Sequence, residues 1–259
     1  MKLIKRPTVS AYLPSLLALI IIGLSLITAP TAKASFHLMQ IDEVIGGVNG
    51  DTSAQAIELR MRASGQTFLS GAAKLIAVDA AGANPVTLIN FGSNVAIGNP
   101  GSAILITSSN FKNFTPSPGT FVNDFTLTNL IPSSYLNAGR LLYEDSSNNI
   151  LWSLAFGGAS YTGPTNGETT NGVADPGKFG GPLPSNSLRA LLYQGTASGQ
   201  NTNNATDYAV TSGAATFTNN AGTSFTVVPE PSSLILVAIA LAMAAVKSRL
   251  AMRLTQKQQ

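Results

Sequence analysis

His37 is the only histidine in the chain, and there is no cysteine. A Ser–His–Asp arrangement needs its base held rigidly against the nucleophile. His37 lies three residues beyond Ala34, where the chain is expected to be cut, and a mature terminus frays; a solvated histidine is expected there. Zinc sites built on histidine need several of them, and thiolate nucleophiles, cysteine-based zinc sites and iron–sulfur clusters are excluded. Carboxylates are the remaining reactive groups. Asp42 with Glu43 and Glu144 with Asp145 are adjacent, and neighbours in a regular strand point to opposite faces, which separates them as acid–base couples. Glycosidase-type pairs can come from distant positions, so a secreted carboxylate-dependent hydrolase stays as an alternative.

Loop oxygens are present at Asp175-Pro176-Gly177 and at residues 201–204 with Asp207, although EF-hand or RTX spacing, which would supply the ligands of a calcium site, is lacking. Trp152 and Tyr161 have the ring faces that stack on sugars, but Trp152 sits in an apolar stretch and is expected in a core. Residues 46–50, Gly-Gly-Val-Asn-Gly, are expected to form a turn, because no Lys-Ser/Thr or helix follows as a phosphate loop requires. No catalytic residue, metal site or cofactor is expected, and the chain is not read as an enzyme.

The net charge of +3 and the pI near 9.2 invite a nucleic-acid reading. Its distribution argues otherwise. Four basic residues lie before residue 35 and four after residue 246, while residues 35–227 hold eleven acidic side chains against seven basic ones, a net charge of −4. No nucleic-acid partner is expected.

Lys2, Lys5 and Arg6 precede an apolar stretch over residues 13–27 and then Ala32-Lys33-Ala34. A basic start, a short apolar core and an Ala-x-Ala site are the three parts of a secretory signal peptide. Cleavage by signal peptidase after Ala34 would make Ser35 the mature start. At the other end Pro229-Glu230-Pro231 precedes the uncharged run 234–246 and the basic Lys247, Arg249 and Arg253. A helix of that run is about 20 Å long against a hydrocarbon core of roughly 30 Å. Leu250, Met252 and Leu254 extend its apolar face while the long basic side chains snorkel. The basic cluster lies on the far side only, which the positive-inside rule places in the cytosol. A C-terminal transmembrane helix is expected.

The tripeptide, helix and basic tail together resemble the PEP-CTERM sorting signal of exported bacterial proteins, over about residues 228–253. The resemblance implies recognition by an exosortase-type membrane protease, removal of the helix, and delivery to the cell surface or extracellular matrix. This follows the logic of other tails cut from the mature protein. Extracellular polysaccharide is an implied partner.

Between the two ends, short apolar stretches recur, separated by Gly, Asn, Pro, Ser and Asp. In residues 57–62 the alternation places Ile57, Leu59 and Met61 on a core and Glu58, Arg60 and Arg62 toward solvent, with Glu58 in a surface pair. Further strands are expected at 38–45, 74–79, 86–91, 103–107, 125–127, 140–144, 150–156, 188–193 and 208–211, the spacing of an all-β sandwich or barrel. Residues 145–149 make a hairpin loop, since Asp and Asn tolerate left-handed backbone, and 132–138 form one helical turn. Residues 157–185 are expected to be a long surface loop with little to bury, 195–206 a shorter one, and 219–227 a linker.

Ile41-Asp42-Glu43-Val44 followed by Ala56-Ile57-Glu58-Leu59 resembles the opening of lamin-tail-like domains. Residues 139–143 with the hairpin to Leu151-Trp152, and the ending Ser187-Leu188-Arg189 followed by residues 203–208, fit the same pattern. Ala56 stands where that family usually has an aromatic. The resemblance spans about residues 39–215 and implies an Ig-like sandwich with an accessory or binding role. The organisation expected is thus a signal peptide over 1–34, an all-β, Ig-like lamin-tail-like sandwich over 35–218, a linker over 219–227 and a sorting segment over 228–259. The function expected is a structural, adhesive or accessory role at the cell surface. The alternative is a carbohydrate- or calcium-binding module using loop 157–185.

Overall fold

The computed structural model describes residues 35–196 and 202–229. The expected signal-peptide helix, with Ala32 and Ala34, lies outside them. So does the expected C-terminal transmembrane helix, with Glu230, Pro231, Lys247, Arg249 and Arg253 around it. Among the described residues no helix is long and apolar enough to cross a membrane.

The 57–62 alternation becomes β2 (Ala56–Met61), a central strand. It pairs antiparallel with β1 (Met39–Ile45) on one side and β5 (Ala103–Thr107) on the other. β9 (Leu191–Tyr193) and β10 (Tyr208–Val210) extend the sheet past β1, and the short β6 (Phe125–Thr126) runs parallel to β5 at the far edge. A second sheet is antiparallel throughout, in the order β4 (Val86–Asn90), β3 (Ala73–Val78), β7 (Gly139–Asp145), β8 (Ile150–Phe156). Inward residues of both sheets make one core: Ile41, Ile57, Leu59 and Ile106 from the first meet Leu75, Leu141, Tyr143 and Trp152 from the second. Alternate apolar side chains on facing sheets are what a β-sandwich needs to bury its inner faces. The body is an all-β sandwich.

The local chemistry of the turns follows the sequence. Asp145 Oδ1 accepts from the Ser147 and Asn149 amides, both at 2.8 Å, and Asn148 takes a positive φ of 66°. Asn49 and Gly50 do the same in the turn at 46–50, with φ of 49° and 91°. A 3-10 turn at Ser133–Tyr135 leads into β7. Residues 203–207 form a short capped helix, α1 (Asn204–Asp207), with Asn203 Oδ1 accepting from the Ala205 amide at 3.0 Å.

Two expectations need correction. Residues 219–227 are no linker: β11 (Thr216–Thr218) and β12 (Ser224–Thr226) form a hairpin. Its Phe217 and Val227 are buried with Ile45, Leu105 and Phe111 on the outer face of the six-stranded sheet. The body therefore runs past residue 218 to Val228, whose amide donates to Phe114 O at 2.8 Å. Loop 157–185 also buries more than expected. Tyr161 and Asn171 are fully buried. Arg140 donates to the carbonyls of Pro164, Thr165 and Asn166 at 2.8–3.0 Å and to Ser153 Oγ at 2.8 Å. Glu168 accepts from Ser153 N at 2.7 Å and Ser153 Oγ at 2.5 Å, and also from the Asn171 amide. These polar bonds sew the loop to the outer face of β7 and β8. A composition poor in large apolar side chains hides such packing.

Candidate functional site

The most unusual chemistry lies in β1. Ile41 pairs with Leu59, but Glu43 pairs with Glu58, so Asp42 is an extra residue and the strand is bulged there. Ile41 and Val44 both reach the sandwich core. The two residues between them, Asp42 and Glu43, are therefore both turned to the outer face, where Glu58 and Arg60 project from β2. The expected separation of Asp42 from Glu43 is overturned by this single inserted residue.

That face is covered by β11. Glu58 is 1% exposed, and Asp42 and Glu43 4% each; Glu58 is thus no surface residue, nor is Arg62, which is buried too. Arg60 bridges the group: Nε donates to Asp42 Oδ2 at 2.7 Å and Nη2 to Glu58 Oε1 at 2.9 Å. Glu58 Oε2 accepts the Thr218 amide at 2.6 Å, and the Thr216 amide acts on Glu43 to favour its ionised form. Gln40, fully buried, donates from Nε2 to Asp42 Oδ1 at 2.8 Å while its Oε1 has no donor. Burial, with repulsion from neighbouring carboxylates, pushes Glu43 and Glu58 each up to about 8. Two of the three buried carboxyl groups bond the guanidinium of Arg60, which is itself part-exposed, and Glu43 feels it only electrostatically. Chemically this cluster can hold and release protons; its burial keeps substrates from it.

Arg62, on the last turn of chain after β2, stacks its guanidinium 4.8 Å above the Trp152 ring and donates to Thr170 O and Oγ1 at 3.0–3.2 Å. Trp152 is fully buried, as expected of it, so its face is not offered to sugars. Tyr161 is buried likewise. His37 is exposed, stacked on Phe36 at 4.2 Å, with Ser35 Oγ 2.9 Å from its Nδ1. Asp145 lies near enough to feel it, but the Asp145 oxygens are taken by Ser147 and Asn149. Ser35 and Pro229 are the expected sorting residues that fall among those described.

Two of the concavities open to solvent involve loop 157–185 or the loop oxygens. A groove of about 550 Å³ lies between the end of loop 157–185 and the turn before β7. Leu136, Phe179, Pro182 and Pro184 give it apolar walls, Asn137 and Asn186 are among its polar groups, and no charged residue lines it. That volume is in the range of small-ligand sites. A second recess of about 310 Å³ brings together Asp175, Thr202, Asn203 and Asp207, the loop oxygens noted in the sequence. Three of them are already engaged: Asp175 Oδ1 accepts Gly177 N at 2.9 Å, Asp207 Oδ2 accepts Asn203 N at 2.8 Å and Asn203 Oδ1 accepts Ala205 N at 3.0 Å. Thr202 Oγ1 is buried without a hydrogen-bond partner among the described residues. Among the described residues no group of three or more His, Cys, Asp or Glu is arranged to hold a metal ion.

The chain matches no known family model and no curated protein.

Proposed function

We propose that this chain is an exported surface or matrix protein with a structural or adhesive role, sorted through its C-terminal segment by an exosortase-type protease after signal peptidase has acted. The sandwich is read as Ig-like and lamin-tail-like, since Ile41–Val44, Ala56–Leu59 and the 139–152 hairpin, which carry that resemblance, all fall in paired strands. One observation carries the sorting reading. Pro229-Glu230-Pro231, the uncharged run 234–246 and the basic Lys247, Arg249 and Arg253 follow one another in the order that a sorting segment requires. Deleting residues 229–253 is expected to abolish retention at the surface, with the body still folded and released or held in the wrong compartment. Fractionation and immunodetection check this; retention unchanged by the deletion refutes it.

The neutral groove favours a second reading, an uncharged saccharide as ligand. Ring faces of Phe179, Pro182 and Pro184 suit the C–H faces of a sugar, and the amides of Asn137 and Asn186 suit its hydroxyls. Binding on an array of neutral glycans is expected to weaken about tenfold in the N137A/N186A variant. Binding that survives both this change and F179A places the ligand elsewhere.

A further inference from the structure

The cluster under β11 differs from an ordinary surface ion pair in what it grips. Glu58 does not merely neutralise Arg60; its Oε2 is the acceptor for a backbone amide of β11, that of Thr218, at 2.6 Å, and the Thr216 amide of the same strand favours the ionised form of Glu43. β11 belongs to the last element before Val228 and Pro229. Counting every element packed on the cluster, the titratable or charged groups are Asp42 and Glu43 from β1 and Glu58 and Arg60 from β2. Tyr193 and Tyr208, from β9 and β10, lie within electrostatic reach of Asp42. β11 supplies backbone N–H groups and no charged side chain; at the turn of the hairpin Asp124, its carboxyl raised by burial, accepts the Asn220 amide at 2.7 Å. Fully ionised, three carboxylates face one guanidinium. The fully buried Gln40 Oε1, an acceptor without a donor on a side chain bonded to Asp42, independently marks a place short of a hydrogen.

We propose that this cluster is a proton-operated latch: with a proton on the carboxyl groups the β11–β12 hairpin lies closed on the sheet, and full ionisation loosens the hairpin locally and frees the chain leading into Pro229. Two effects oppose each other. The Thr216 and Thr218 amides favour the ionised carboxylates, whereas burial and mutual repulsion disfavour them. Burial is the largest contribution for both Glu43 and Glu58, and the balance favours the proton. Lifting the hairpin admits water and relieves the repulsion, so opening is coupled to proton loss. The consequence for sorting rests on the reading above, but the latch itself does not, and the test separates them.

The test is hydrogen exchange of the full-length chain from pH 5 to pH 8.5, expressed as protection relative to the intrinsic rate at each pH. Between the ordinary carboxyl range and about 8, each coupled group can raise the opening constant by about tenfold per pH unit. Protection of the Thr216 and Thr218 amides is therefore expected to fall at least about tenfold across the series, while the Leu141 and Tyr143 amides of β7 hold theirs. The E43Q/E58Q variant keeps acceptor oxygens and loses the charge, so its hairpin protection is expected to be flat; E43Q alone should halve the response on a logarithmic scale. E144Q, on the other sheet, should leave it unchanged. Constant hairpin protection in the wild type overturns the proposal. So does a fall shared equally by β7, or a response that persists in E43Q/E58Q.

Discussion

Replacing Trp152 with alanine is expected to lower the folding free energy by about 3–5 kcal/mol. The indole is fully buried and meets the Tyr193 ring edge-on at 5.9 Å. Its Nε1 donates to Tyr208 Oη at 3.0 Å, and Tyr208 in turn donates to Ile41 O at 2.5 Å, tying β8 and β10 to β1. Alanine leaves a cavity between the sheets and strips the Arg62 guanidinium of the ring beneath it. Arg62 Nε already has no acceptor, so this buried cation would lose its remaining apolar support. Urea unfolding of both proteins measures the effect, with a Tm lowered by roughly 10 °C or more as the companion reading. A loss under about 1 kcal/mol would mean that the site collapses around the gap and that Trp152 does not tie the sheets together.

Arg60→Leu is expected to cost about 2–4 kcal/mol at pH 8 and much less at pH 5. The figure is set at or below the usual range for a broken buried pair because the Arg60 side chain is 34% exposed, and water screens part of its charge. The sign follows from the direction of the shifts. Glu43 and Glu58 bind protons more tightly folded than unfolded, so their contribution to stability is fully present below their unfolded value of 4.5 and is lost as pH rises through about 8. Wild-type stability should already decline over that window. Without Arg60 the carboxyl groups hold their protons still more tightly, and the deficit grows with pH. Asp79, Asp145 and Asp175 have lowered values and act in the opposite sense, but their effect falls below 3.8, outside the window. Urea midpoints of wild type and variant at several pH values decide the matter; a deficit of equal size at pH 5 and pH 8 would show that Arg60 acts through packing and not through charge.

The all-β body was legible because its signals are local. Ile57, Leu59 and Met61 alternate with polar residues and face the core, and Asp145 with Asn148 and Asn149 closes a hairpin whose side-chain bonds are internal to it. Trp152 sits in an apolar run and is buried. The carboxyl cluster was not legible. The argument that adjacent Asp42 and Glu43 diverge assumes a regular strand, and the bulge that breaks the assumption is set by pairing with β2, not by any residue of β1 itself. Glu58, Arg60 and Arg62 alternate as a solvent face should; β11, from distant sequence, covers Glu58 and Arg60, while Arg62 turns onto Trp152 and is capped by Thr170 of loop 157–185. β11 and β12 escaped notice for a related reason. Each is three residues long and rich in Thr or Ser, so Phe217, Phe225 and Val227 are too few to show a period. In loop 157–185 the packing is polar, through Arg140, Glu168 and Asn171, and hydrophobic patterning is blind to it.

The reading of an exported body bounded by two removable addresses is tested most directly by the intact mass of the protein recovered from its own cells. Expected is a polypeptide in the envelope or extracellular fraction that begins at Ser35 and lacks the residues beyond the Pro229-Glu230-Pro231 motif. A chain carrying Met1 through Gln259 and recovered from the cytosol would contradict it.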